Sequence, residues 1–226
     1  MENKAILKEI HSEHIPIEKR QEIFTTAIIN FTERLFSENE PIGFGNFASV
    51  YEDPENNICY KSVTRNKDHL FNNVEDEVDF LETLHEIDNT VKVPIPLFTI
   101  MKGGKQLLAM EKINGPTLGE ILRDKKELPE TYNSEFFWKN LKKFVEKMHN
   151  EYRIYHRDLR EDNIMIEAET GKPVVIDFGA AVKLILTDEN PYAREPGMEK
   201  IAPFFDDEAQ IASLEREMQY HLTKDK

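Results

Sequence analysis

The sequence has almost no cysteine and no long hydrophobic run. Cys59 is the one cysteine among 226 residues, so no internal disulfide can form and nothing calls for an oxidising compartment. No stretch approaches the ~20 apolar residues that a membrane-spanning helix needs. The first residues mix charged and apolar side chains without the continuous apolar core of a signal peptide. We therefore expect a soluble, cytoplasmic chain with no membrane span.

Basic residues are also in the minority. The chain carries 43 Asp and Glu against 29 Lys and Arg, a formal net charge of −14. Such a balance disfavours binding to nucleic acids and anionic lipids, so we expect no nucleic-acid partner. A lone cysteine cannot build a thiolate zinc site. The histidines outside the motifs described below suggest no metal-ligand cluster; they are His11, His14, His69, His85, His149 and His221.

The hydrophobic pattern predicts a small antiparallel sheet followed by a mainly helical half, which is an α+β fold with two lobes. Two hairpins are expected, one across residues 41–63 and one turning at Gly103-Gly104, where glycine suits a tight turn. Two short strands are expected at residues 163–166 and 173–179. Helices are expected at about 16–37, 68–87, 134–152 and 206–221.

Two groups of residues point to phosphate chemistry. Gly43 and Gly45 lie in a glycine-rich run whose backbone amides could approach phosphate oxygens without obstruction by a Cβ. Lys61 lies on a predicted strand, and Glu77 lies on the apolar face of a predicted helix. A carboxylate that faces a core is costly unless it is paired, and Lys61 is a candidate partner for Glu77.

The strongest signal is His156-Arg157-Asp158-Leu159 with Asn163, followed by Asp177-Phe178-Gly179. With the glycine-rich run, Lys61 and Glu77 in this order, the sequence resembles the eukaryotic-type protein kinase superfamily over residues 42–179. The resemblance implies a protein-kinase-like two-lobe fold that uses ATP and Mg²⁺. It divides the chain into an N-terminal helical extension at 1–38, a kinase N-lobe at 39–114 and a C-lobe at 115–226.

The resemblance also implies roles for individual residues. Asp158 would be the catalytic base, and Asn163 and Asp177 would hold Mg²⁺. Lys61 would contact the α- and β-phosphates and be fixed by Glu77, while Arg160 would contact the γ-phosphate. The implied nucleotide-binding residues are Ile42, Gly43, Phe44, Gly45, Val50, Cys59, Lys61, Met110, Glu111, Ile113 and Met165.

The sequence departs from the usual kinase pattern after Gly179. No Ala-Pro-Glu triplet follows, and a connector from Ala180 to Phe205 leads to one predicted helix. Asp206 or Asp207, near the start of that helix, could support the segment His156–Asn163, which is called the catalytic loop below. We therefore expect a truncated helical C-lobe. In this respect the chain resembles RIO-type kinases and the minimal effector kinases that bacteria deliver into host cells, so delivery into a host cell is a second expected location.

The leading hypothesis is an ATP-dependent protein kinase that phosphorylates Ser or Thr and has a protein substrate or an activating protein partner. One alternative is a small-molecule phosphotransferase of kinase-like fold, although those enzymes typically replace the residue at Arg157. Another is a catalytically weak binding module, which the retention of all the expected catalytic groups disfavours. The helix at 16–37 is expected either to pack on the N-lobe or also to dock a partner.

Overall fold

The computed structural model describes residues 5–32, 40–44, 48–64, 73–85, 87, 89–183 and 206–224. The chain forms two compact units. The first comprises Met1–Glu82 and Pro94–Lys112, and the second comprises Thr83–Val93 and Ile113–Lys226. The predicted domain boundaries at 38/39 and 114/115 stay a prediction.

A six-stranded antiparallel sheet organises the first unit. In space its strands follow the order β1-β5-β6-β4-β3-β2, with every neighbouring pair antiparallel. The strands are β1 (Ile6–Glu9), β2 (Gly43–Phe44), β3 (Ala48–Asp53), β4 (Ile58–Thr64), β5 (Pro96–Lys102) and β6 (Lys105–Glu111). Gly103 and Gly104 join β5 to β6 with φ angles of 59° and 81°, so the expected glycine turn is confirmed.

Helix α1 (Ile17–Thr32) covers one face of this sheet. Its buried side chains share one hydrophobic cluster with residues of β3, β4, β5 and β6. The ring of Phe24 also lies edge-on to Phe98 of β5, with the ring centroids 4.9 Å apart. The apolar stripe of α1 therefore serves the core of the first unit. The last part of the helix predicted at 16–37 lies outside the described residues.

Because side chains alternate along a strand, each residue of the sheet can be assigned to one of its two faces. The side chains of Tyr51, Tyr60 and Ala109 belong to the cluster that contains α1. Lys61 follows Tyr60 and so points to the opposite face. There its ammonium group meets Glu77 of helix α2 (Val74–Leu84), so α1 and α2 lie on opposite faces of the sheet.

The second unit is built around helices. The helices are α3 (Leu118–Leu122), α4 (Ser134–Asn150) and α5 (Asp207–Thr223). Its strands form two short pairs, β7 (Ile154–Tyr155) with β10 (Val182–Lys183) and β8 (Ile164–Ile166) with β9 (Pro173–Val175). Helix α4 contacts α5, β7 and β9. The apolar face of α4 is fully buried, including Phe137, Leu141 and Phe144.

The α+β prediction, a small antiparallel sheet followed by a mainly helical half, is confirmed by these elements. Four of these elements were not predicted, namely strands β1, β7 and β10 and helix α3. Helix α3 begins with a capping box in which Thr117 and Glu120 each bond the backbone amide of the other. In the described part of the chain, no helix is long and apolar enough to cross a membrane.

Candidate active site

A buried ion pair lies on the sheet face opposite α1. The Nζ atom of Lys61 lies 2.7 Å from both carboxylate oxygens of Glu77. The two residues are only 5% and 2% exposed. Each charge is costly to bury alone, so the two opposite charges compensate each other. The structure thus brings together the two residues that the sequence paired.

The register of the sheet places several predicted nucleotide-binding residues on the face that carries Lys61. Val50 of β3 lies opposite Lys61, and Met110 of β6 lies opposite Cys59. Directly opposed residues of antiparallel strands share a face, as do residues two apart on one strand. Val50, Cys59, Lys61 and Met110 therefore form one surface. Burial raises the pKa of the Cys59 thiol to about 11, so that thiol is mainly protonated.

The glycine-rich run forms the outer edge of the same sheet. Gly43 lies opposite Val50, and the Ile42 amide donates to the Val50 carbonyl at 2.9 Å. The Ile42 side chain is exposed. A Cβ built on Gly43 would meet only the Cβ of Val50, at 4.0 Å, so the described surroundings leave space above this strand. The backbone of Phe44 continues β2, and Gly45 lies outside the described residues.

Two more of the implied nucleotide-binding residues, Glu111 and Ile113, follow Met110. The Glu111 amide donates to the Ile95 carbonyl at 2.9 Å, and the Lys112 amide donates to the Asn57 carbonyl at 3.0 Å. These two amides are therefore occupied inside the first unit, while Ile113 begins the second unit. Met165, the remaining predicted nucleotide contact, lies on β8 of the second unit and is half-buried.

The second unit brings Asp158 and Asn163 into direct contact. The Asn163 amide nitrogen donates to the backbone carbonyl and to the carboxylate of Asp158, both at 2.9 Å. The Ile176 amide donates to the Asn163 carbonyl at 3.0 Å. Asp177 is the residue after Ile176, so this bond brings its backbone close to Asn163. Asp177 has a φ angle of 62°, and its carboxylate accepts a bond from the Gly179 amide.

The environment of Asp158 suits a proton acceptor. Burial raises the pKa of its carboxyl group above the ordinary value, and the nearby Asp177 charge adds to this effect. The Arg160 guanidinium opposes the increase, and its Nε lies 3.6 Å from the Asp158 carboxylate. Arg160 is half exposed, so its cation could also meet a phosphate from solvent. An aspartate with a raised pKa is a better proton acceptor than an ordinary one.

Asn163 and Asp177 fit a magnesium ion by the chemistry of their donors. Both hydrogen bonds from the Asn163 side chain use its nitrogen, which leaves the amide oxygen as a ligand atom. Asp177 adds carboxylate oxygens. Mg²⁺ prefers such hard oxygen ligands and usually takes only a few of them from the protein.

Asp207 binds the backbone of the catalytic loop. Its buried carboxylate accepts the backbone amides of His156 and Arg157 at 2.7 and 2.8 Å and lies 2.9 Å from the His149 ring. These bonds hold Arg157 at a φ angle of 67°, a conformation that costs energy for a residue with a side chain. The sequence left Asp206 and Asp207 as alternatives, and the structure shows that Asp206 instead caps α5.

Sequence reasoning missed two further supports of this loop. The Gln210 side chain accepts the Leu159 amide at 2.9 Å. His149, on the buried face of α4, stacks on Tyr155 with the ring centroids 4.3 Å apart while it contacts Asp207. The spacing of Gln210 three residues after Asp207, on the same side of a helix, was the available signal.

Comparison with known proteins agrees with this architecture. A model of the protein kinase domain family matches residues 36–198. The chain is 27% identical over 166 residues to a putative serine/threonine-protein kinase of Mycoplasma genitalium, which covers 64% of this chain and 43% of that protein.

Two other relatives carry similar names. The chain is 28% identical over 157 residues to the mouse serine/threonine-protein kinase Nek10, covering 62% of this chain and 14% of that protein. It is 29% identical over 152 residues to serine/threonine-protein kinase PknA of a Nostoc species, covering 62% of this chain and 26% of that protein. The chain thus spans less than half the length of these relatives. Because the family match covers more than half of the sequence, the chain belongs to the protein kinase domain family.

Proposed function

We propose that the chain is an ATP-dependent protein kinase that transfers the γ-phosphate of ATP to a Ser or Thr hydroxyl of a protein substrate. The main support for this proposal is the contact of Asn163 with Asp158. It brings Asp158, a proton acceptor, beside Asn163, whose side-chain oxygen can bind a metal ion. The three relatives described above are all named as serine/threonine-protein kinases, which supports the choice of acceptor.

In this proposal Asp158 orients the acceptor hydroxyl and accepts its proton as the oxygen attacks phosphorus. Arg160 stabilises negative charge on the transferring group. Lys61, held by Glu77, binds the α- and β-phosphates. The surface formed by Val50, Cys59, Lys61 and Met110 receives the nucleotide.

Asn163 and Asp177 would hold Mg²⁺, which supplies positive charge that offsets the charge of the phosphate oxygens. The other proposed nucleotide contacts are Ile42, Gly43, Phe44, Gly45, Glu111, Ile113 and Met165. ATP as phosphate donor fits the cytoplasmic location expected from the sequence. A protein acceptor, or an activating protein, is the partner that this activity requires.

The test is phosphate transfer from labelled ATP, with a mixture of proteins and the chain itself as acceptors. Asp158→Asn and Asp177→Ala should each lower kcat by at least ~10³, or about 4 kcal/mol of barrier. Asp206→Asn is the matched control, because that exposed residue only caps α5. Mass spectrometry of the product identifies phosphoserine or phosphothreonine.

Equal rates in wild type and both site variants would contradict the proposal. ATP binding without any transfer would favour a binding module, and transfer to small molecules alone would favour a small-molecule phosphotransferase. Phosphotyrosine as the sole product would correct the proposed acceptor.

A further inference from the structure

The segment between β1 and α1 brings together two histidines and a glutamate. His11, Glu13 and His14 can each offer one ligand atom such that these atoms all lie within 4.8 Å of one another. Among the described residues, this is the one group of three or more His, Cys, Asp or Glu with that property. The sequence had suggested no metal-ligand cluster among the histidines outside the kinase motifs. The structure nevertheless brings these three side chains together, because a 3-10 turn from Ser12 to His14 follows His11.

The turn explains why the two histidines meet. In a 3-10 helix, side chains three residues apart lie above one another, and His11 and His14 have this spacing. The His14 amide donates to the His11 carbonyl at 3.2 Å, and the two ring centroids are 6.2 Å apart.

The backbone of this turn is held at both ends. Before it, the amides of Ile10 and His11 donate to carbonyls of the segment that contains β5. After it, Ile15 is 3% exposed in the hydrophobic cluster of the first unit. A turn that is already fixed loses little conformational entropy when its side chains bind an ion.

We propose that His11, Glu13 and His14 form a site for a divalent metal ion of borderline softness, with zinc as the best match. Imidazole nitrogens with one carboxylate oxygen are a common zinc ligand set, whereas Mg²⁺ and Ca²⁺ prefer oxygen ligands alone. Two ligand atoms of a tetrahedral zinc lie ~3.3 Å apart, given bond lengths of ~2.0–2.1 Å. Nδ1 of His11 and Oε1 of Glu13 are already 3.1 Å apart.

The third ligand, His14, needs only side-chain rotation. Its side chain is exposed, and that of Glu13 is 63% exposed, so both can move without disturbing the core. A water molecule can complete the coordination, as in zinc sites with three protein ligands.

Glu82 of α2 lies beside the proposed metal site but is not one of its three ligands. When His11 binds the ion through Nδ1, its Nε2 faces Oε1 of Glu82 at 3.5 Å. Zinc-bound histidines characteristically direct the other ring nitrogen to a carboxylate, which fixes the ring. Glu82 also lies on the helix that carries Glu77, so the bound ion would connect the N-terminal segment to the helix of the Lys61–Glu77 pair.

Calorimetric titration of the full chain with zinc sulfate, in excess Mg²⁺, tests the site. We expect one zinc per chain and an affinity at least ~100-fold lower in His14→Gln, which removes a ligand. Glu82→Gln should weaken binding by ~10–100-fold, the usual effect of removing an outer carboxylate. His221→Gln, which removes a histidine from the second unit, is the matched control and should bind as wild type does.

A second measurement uses only the wild-type chain. Zinc should protect His11 and His14, but not His221, from diethyl pyrocarbonate, as read by mass spectrometry of the modified peptides. Absence of saturable zinc binding, wild-type affinity in His14→Gln, or protection that does not favour these two histidines would overturn the proposal. Neither experiment depends on kinase activity, so the result is independent of the proposed function.

Discussion

The buried ion pair of Lys61 with Glu77 permits a quantitative prediction about stability. The residues are 5% and 2% exposed, and the ammonium contacts both carboxylate oxygens at 2.7 Å. Replacing one partner leaves the other charge buried without its counter-ion, which costs about 3–5 kcal/mol. Lys61→Met and Glu77→Leu should therefore each lower the free energy of unfolding of the first unit by about this amount. That loss is a large part of the roughly 5–15 kcal/mol typical of a folded domain.

The double variant Lys61→Met/Glu77→Leu separates pairing from function. Replacing both buried charges with apolar side chains of similar size is often neutral or stabilising, so the double variant should be more stable than either single variant. It should still fail to transfer phosphate, because Met offers no charge to the nucleotide. Lys112→Met is the control, since the partly exposed pair of Lys112 with Glu52 should contribute at most ~1 kcal/mol.

The assay must follow the first unit. Trp138 is the one tryptophan and belongs to the second unit, so its fluorescence would report on the wrong region. Hydrogen exchange of peptides from β3 and β4 in increasing urea measures the local free energy directly. Single variants that lose less than ~1 kcal/mol, or a double variant whose loss equals the sum of the single losses, would refute the description of a buried, mutually dependent pair.

Two further predictions concern single residues. At pH 8, a pKa of about 11 in place of 9.0 leaves the Cys59 thiol ~100-fold less ionised. Its alkylation should therefore be at least ~100-fold slower in the folded chain than in urea, with the rate rising about tenfold per pH unit until about pH 11; equal rates in the two states would contradict the burial. Asp207→Asn should lower the stability of the second unit by about 3 kcal/mol, measured by Trp138 fluorescence, because it removes a buried charge that accepts two backbone amides. Asp206→Asn should change stability by less than ~0.5 kcal/mol, since Asn caps helices as well as Asp does; equal losses would contradict the assignment of support to Asp207.

The local sequence was sufficient for the elements with strong periodicity. Helix α4 was expected at about 134–152 and occupies Ser134–Asn150, because its apolar residues recur at helical spacing over several turns. The turn at Gly103-Gly104 was equally clear, since few other residue pairs adopt two positive φ angles. The pairing of Lys61 with Glu77 was expected because burying a carboxylate alone is costly and because the kinase resemblance pairs these two positions.

Short helices and strands could not be predicted from periodicity in the same way. Helix α3 has five residues, too few for a periodic pattern, although its capping box from Thr117 to Glu120 was a signal in the sequence. Strand β1 shows no alternation of buried and exposed residues. It forms because the exposed edge of β5 offers unpaired backbone groups, and no property of residues 6–9 alone specifies that partner.

The sequence by itself determined the kinase motifs, their order and the residue types able to bind phosphate and magnesium. Only the tertiary structure decided that Asp207, and not Asp206, supports the catalytic loop, and that His11 and His14 share one side of a turn with Glu82 nearby. Periodicity and motif spacing report interactions within a few residues of chain. Contacts such as that of Asp207 with His156 join residues far apart in sequence, and their geometry is fixed only when the whole core packs.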